Sequence, residues 1–140
     1  MRSVFVHLTG IAREEVAMRL GCFAEHLKLG NRGQWGFPPS PTTAVIYITF
    51  YEDFASEAGP EDLQMLRNVL GQLPEVTVCG GVSGREAGDS EVAQFVGFLF
   101  GEFRGVARDD YTNHCWTLAE LQSGAKAHGH TFFDYNGWYK

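Results

Sequence analysis

The sequence predicts an α+β (or α/β) fold: a single four-stranded sheet with about three helices plus a short C-terminal helix, arranged as a ferredoxin-like variant. Three observations predict it. Apolar residues alternate with period two in three well-separated segments. Helical spacing of apolar residues fills the intervals between them. Strand and helix therefore alternate along the chain, an order that implies crossover connections and helices on at least one sheet face. A fully parallel three-layer sheet is the second arrangement compatible with that order. With 140 residues and no internal repeat, the chain is assigned to one domain, 1–140.

Ser3 to Leu8 reads as a strand, with Val4, Val6 and Leu8 on one side and Phe5, His7 and Thr9 on the other. The segment from Ala12 to Leu29 reads as an amphipathic helix with Val16, Leu20, Phe23 and Leu27 as its stripe and Gly30 as its stop. Residues 30–43 form a connection rich in Gly and Pro. Trp35 and Phe37 lie inside it, either tucked back as anchors or turned to a partner. Thr43 to Tyr51 is the clearest strand: Ala44, Ile46, Ile48 and Phe50 belong on a core, and Val45, Tyr47, Thr49 and Tyr51 form a half-polar face.

Past the acidic loop Glu52–Asp53, Pro60 begins a helix with Glu61 and Asp62 in its first turn, Leu63, Leu66, Leu70 and Leu73 as its stripe, and Pro74 beyond its end. Val76 to Val82 is the third strand and leads into a turn over Gly84–Ser90. Asp89 or Ser90 then caps a helix with the stripe Val92, Phe95, Val96, Leu99 and Phe103. Gly105 to Arg108 is expected as a short fourth strand. Thr117 and Glu120 have the spacing of a capping box, so a last short helix begins there and stops at Gly124. The tail GHTFFDYNGWYK is too aromatic for a loose end and is expected to pack back on the domain.

Composition sets the outer limits. Apolar residues make up 44% and charged residues 20%, which is a globular balance and not a disordered one. Aromatics reach 14%, more than a small core requires, so some rings are candidates for a groove or a partner surface. Residues 1–45 carry five Lys/Arg and three Asp/Glu, and residues 46–140 carry six and fourteen, which together give the net charge of -6. Such a balance argues against nucleic acid and anionic membrane and in favour of a basic protein partner. Three cysteines without a CxxC, and no long apolar run, lead to the expectation of a reduced, cytoplasmic protein.

Chemistry-bearing residues gather near the C-terminal end. Asp109, Asp110, His114, His128, His130 and Asp134 include enough carboxylates and imidazoles to hold a divalent metal, but match no recognised ligand spacing. Capping carboxylates and hydrogen-bonded imidazoles account for the same residues, and the expectation is no metal and no cofactor. Whether the three imidazoles share one site is left open. Asp109 and Asp110 can form an acid–base pair only if one is desolvated, and the favoured alternative is that they bond backbone N–H groups at a turn. Cys115 and His114 are neighbours on extended chain and point apart, so no nucleophilic pair is expected. Gly80, Gly81 and Gly84 lack the spacing of a phosphate loop. No catalytic residue is assigned.

The stretch from Val82 to the end, above all Asp109-Asp110-Tyr111-Thr112, His114-Cys115-Trp116-Thr117-Leu118 and Phe132-Phe133-Asp134-Tyr135, resembles a family of small bacterial proteins. Members are encoded beside secreted polymorphic toxins and serve as their immunity partners. The resemblance covers less than half of the chain. It implies a cytoplasmic antitoxin with no chemistry of its own, which occludes a toxin domain that is expected to be basic. Asp109, Asp110, Tyr111, His114, Trp116 and Asp134 then belong to the shared motif and mainly hold the fold. Partner discrimination falls to individual features, with Trp35, Phe37, Tyr47, Tyr51, Glu52 and Asp53 as the expected toxin-binding residues and the Gly84–Ser90 turn beside them. The rival expectation is a regulatory domain that binds a small molecule in an aromatic pocket near the C-terminal tail. A minor metal-dependent enzyme comes third.

Overall fold

A computed structural model describes residues 2–29, 32–38, 44–82 and 87–134. Its elements, in chain order, are β1 (Arg2–Thr9), α1 (Arg13–Phe23), β2 (Glu25–Leu29), β3 (Arg32–Phe37), β4 (Ile46–Phe50), α2 (Phe54–Glu57), α3 (Pro60–Leu70), β5 (Val76–Val82), α4 (Asp89–Glu102), β6 (Arg104–Asp109) and α5 (Leu118–Ser123). The fold is α+β. Its six strands form one sheet in the order β2-β3-β4-β5-β1-β6, and every neighbouring pair is antiparallel. Four strands are thus too few, and the parallel alternative is excluded.

The two additional strands come from the segment 25–37. The helix expected to reach Leu29 ends at Phe23, and Ala24 is extended (φ -132, ψ 162). Glu25–Leu29 pairs instead with Arg32–Phe37, from Leu29 opposite Arg32 to Glu25 opposite Gly36. The intervening dipeptide in the sequence is Gly-Asn, one of the short links that favour hairpins. The gain from pairing with a sheet edge outweighs a helical spacing that only Leu27 extended. Trp35 and Phe37 are consequently strand residues, 5% and 9% exposed, and their rings join the core. Residues 30, 31 and 39–43 of the expected connection lie outside the described residues, as do 84–86 of the Gly84–Ser90 turn and 135–140 of the tail.

α3 and α5 follow their local signals. α4 instead starts from Gly88 (φ 73) and not from a cap at Asp89 or Ser90, and the loop expected after Asp53 holds the short α2. α3 starts at Pro60 and ends where Gly71 turns left-handed (φ 82), so the helix stops before Pro74 is reached. α5 has the full capping box between Thr117 and Glu120, with Gly124 closing its far end (φ 67). β6 runs longer than expected and forms one edge of the sheet. Gly105 permits its approach to β1, because a Cβ there would sit 2.2 Å from the His7 carbonyl oxygen.

Alternation along the strands divides the interior in two. On the first face Val4, Val6, Leu8, Ile46, Ile48, Val78 and Ala107 meet Val16 and Leu20 of α1 and Val92, Phe95, Val96 and Leu99 of α4. On the second face Phe54 of α2, Leu66 and Leu70 of α3, Val106 and Cys115 form a smaller cluster, joined by the half-buried Tyr51 and Leu63. Val106 and Ala107 are successive residues of one strand, so the two clusters lie on opposite sides of the sheet.

Candidate functional site

Asp109, Asp110, Tyr111, His114, Trp116 and Asp134 are arranged around the end of β6. Asp109 is buried. One carboxylate oxygen accepts from the Tyr111 and Thr112 backbone N–H groups at 3.1 and 3.2 Å, and the other accepts from Phe133 N–H at 2.9 Å. A single carboxylate therefore closes the turn after β6 and ties down a segment 24 residues further on. Phe133 is buried in the first-face core and carries the Tyr111 ring against it at 5.7 Å. Asp110 is exposed and accepts from the Ser3 backbone N–H; partial burial of its carboxyl, reinforced by Asp109, pushes its pKa up despite that bond. Asp109 bonds backbone N–H groups at the turn, as the turn reading expected, whereas Asp110 bonds the N–H of Ser3 on β1.

His114 pairs with Glu120 at 2.7 Å and sets its ring edge-on to Trp116. Glu120 also receives Thr117 N–H at 3.0 Å, while its own N–H donates to Thr117 Oγ1 at 3.3 Å. Partial burial raises the Glu120 pKa, but the Thr117 N–H and His114 outweigh it and the net shift is downward. His130 bonds Asp134 at 3.2 Å, and His128 is exposed with a left-handed backbone (φ 55). Among the described residues these imidazoles gather into no group of three or more His, Cys, Asp or Glu able to hold a metal. Cys115 is turned into the second-face cluster, where burial pushes its thiol up and away from the thiolate form.

Trp116 pairs with Ala107 of β6 through two backbone hydrogen bonds of 2.7 and 2.9 Å. Its buried indole N–H has no hydrogen-bond partner among the described residues. Together with Leu118, Leu121, Phe132 and Ala93 and Gly97 of α4 it lines a cleft of about 340 Å³, near the lower bound of small-molecule sites.

The expected partner-binding residues separate into two groups. Trp35 and Phe37 are core residues and present no ring to a partner, which corrects that expectation. Phe37 stacks on Phe23 at 4.3 Å, and Trp35 meets Phe50 edge-on. Tyr47 and Tyr51 are half-buried on the second face of β4. The Tyr51 hydroxyl donates to Glu57, and that bond holds its pKa above the usual phenol value. Glu52 is exposed and pairs with Arg13 at 2.8 Å. Asp53 is exposed, and its carbonyl accepts from Ser56 and Glu57 N–H to start α2.

Sequence reasoning missed a polar network under α2 and α3. His7 is fully buried; its Nδ1 lies 2.9 Å from Thr77 Oγ1, and its Nε2 lies 3.1 Å from Arg108 Nε. A guanidinium only donates, so Nε2 is the acceptor and Nδ1 carries the proton donated to Thr77. Burial, with Arg108 adding to it, lowers the His7 pKa to about 3 and keeps the ring neutral. Arg108 lies over the Phe54 ring and within 3.8 Å of Asp62 on α3. The available signal was the pairing register, which sets His7 opposite Thr77.

Site and fold together define an antiparallel α+β domain whose best-supported polar constellations hold its own chain together. Compared with known family models, curated proteins and solved structures, the chain matches none of them.

Proposed function

We propose that this chain is an immunity-type protein: a non-catalytic, cytoplasmic antitoxin that binds and neutralises the toxin domain of a secreted bacterial effector, most simply by blocking its active site. The observation that carries this reading is the use made of the motif side chains. The Asp109 carboxylate is spent on three backbone N–H groups and His114 on Glu120. That is how a motif behaves when it holds a scaffold that varies its outer surface. The exposed carboxylates Glu52 and Asp53 beside Tyr51 supply the acidic, aromatic composition that suits a basic partner. The sheet belongs with this reading as a ferredoxin-like variant, in which β4-β5-β1-β6 is the four-stranded unit and the β2–β3 hairpin an addition at one edge.

The test is co-expression with the toxic domain encoded by the neighbouring gene, scored for survival and co-purification. Rescue with a stable complex is expected. A well-folded protein that neither rescues nor co-purifies would sink the reading.

One observation favours a second reading, a regulatory domain for a small apolar ligand: the cleft beside Trp116, with its unpartnered buried indole N–H. A metabolite that raises the melting temperature as ligand linkage requires, and loses that effect in Leu121→Asp, would favour it over the first.

A further inference from the structure

One flank of α3 leaves apolar surface open beside its buried stripe. Leu66 and Leu70 are buried in the second-face cluster, with Leu63 half-buried beside them. On the flank of this stripe the half-buried Met65, which also packs against that cluster, and the exposed Val69 line a shallow depression of about 510 Å³ with Pro60, Glu61, Gln64 and Asn68. Val69 is 43% exposed, and the only other large hydrophobic side chain exposed to this degree among the described residues is Met18 on α1.

Among the described residues, Glu61 is the one charged residue that lines the depression. From Glu52 to Leu66 the chain contains five carboxylates and no Lys or Arg, and the exposed Arg67 follows. Asp62 is engaged by Arg108 and Glu52 by Arg13, while Asp53, Glu57 and Glu61 are exposed with no ion pair within the described residues. The mount is firm, because Phe54 is buried, Tyr51 bonds Glu57 and Asp62 reaches Arg108. A surface that need not reorganise loses less on binding.

Resting on the immunity reading, we infer that the outer face of α2 and α3 is the docking surface, and that its occupant is a basic protein segment. That segment seats one apolar side chain between Met65 and Val69 and sets lysine or arginine against Asp53, Glu57 and Glu61. Charge decides among the other occupants. A second copy of this chain would bring carboxylate against carboxylate, and nucleic acid would bring phosphate.

Two arms test this with the full chain. In the first, the chain and its Val69→Asp and Glu61→Lys variants are titrated with the toxic domain of the neighbouring gene. Each variant is expected to bind at least tenfold more weakly, and the Glu61→Lys defect shrinks as salt rises. Unchanged binding by both folded variants would overturn the surface while leaving the immunity role intact.

The second arm applies whether or not that domain binds. A synthetic peptide of alternating Lys and Leu is titrated into isotope-labelled protein. Amide shifts confined to 52–69 and abolished by Val69→Asp support the surface. Shifts elsewhere, or none, overturn it. A dimer that Val69→Asp dissolves would make a second copy the occupant and also overturn it.

Discussion

The two faces of the sheet are built on different principles. The first, under α1 and α4, is a continuous apolar core in which Phe95, Leu99, Ile46, Ile48 and Val6 are wholly buried. The second, under α2 and α3, encloses a neutral histidine, a threonine hydroxyl and a guanidinium between a few apolar residues. Apolar burial is indifferent to pH. A buried imidazole is not, because protonating it costs both its desolvation and its acceptor role toward Arg108. The faces therefore share one sheet but should fail under different conditions.

The largest effect is expected on the first face. Phe95→Ala removes a fully buried ring and should cost about 3–5 kcal/mol in chemical denaturation, by the same amount at pH 7 and pH 5. A cost that varies steeply with pH would break the contrast.

Acid should act on the second face. The His7 pKa falls from 6.5 to about 3 on folding, so the unfolded chain binds the extra proton between those values. Stability is then complete above about pH 6.5 and is lost as pH falls toward 3; at about 1.4 kcal/mol per unit, the loss on going to pH 4 is roughly 3 kcal/mol. The His7→Gln variant should begin less stable and lose less over the same interval. A slope equal to that of the parent would assign acid sensitivity to the carboxylates instead.

Asp109→Asn sharpens the comparison, since it loosens the edge of the first core through Phe133 without touching His7. One charge-assisted acceptor of three N–H groups is weakened, for about 2 kcal/mol, visible as faster amide exchange at Tyr111, Thr112 and Phe133. The smallest effect is Thr117→Ala, which removes the α5 cap and should cost about 1 kcal/mol with no change in acid slope. Protection that persists at Phe133 in the first variant, or at Glu120 in the second, would detach these bonds from stability.

What could be read in the sequence was what neighbouring residues decide. β1, β5 and the buried stripes of α3 and α4 follow from apolar spacing, and α5 from Thr117, Glu120 and Gly124. The β2–β3 hairpin was hidden because Val16, Leu20, Phe23 and Leu27 keep helical spacing across a break marked by neither Gly nor Pro. Only the edge of β4, available after folding, turns 25–37 into strands. The site divides in the same way. Asp109 as a turn acceptor was legible from residues two and three positions on. His7 was not, because its partners Thr77 and Arg108 lie 70 and 101 residues away. Trp35 was placed in a loop for want of the strand that buries it.

The position of β1 has a consequence for how the protein is made. β1 is flanked by β5 and β6, so Leu8 pairs with Val76 and Val4 with Asp109. During synthesis β1 leaves the ribosome with both of its neighbours still untranslated, and although α1 follows at once to cover its apolar side, its hydrogen-bonding edges must wait for β5 and β6. Loop closure over such separations is slow, so the nascent chain carries unpaired strand edges until β5 and β6 emerge. Early trigger-type chaperone contact at residues 2–9, released only when β6 has emerged, is the expected signature of that delay.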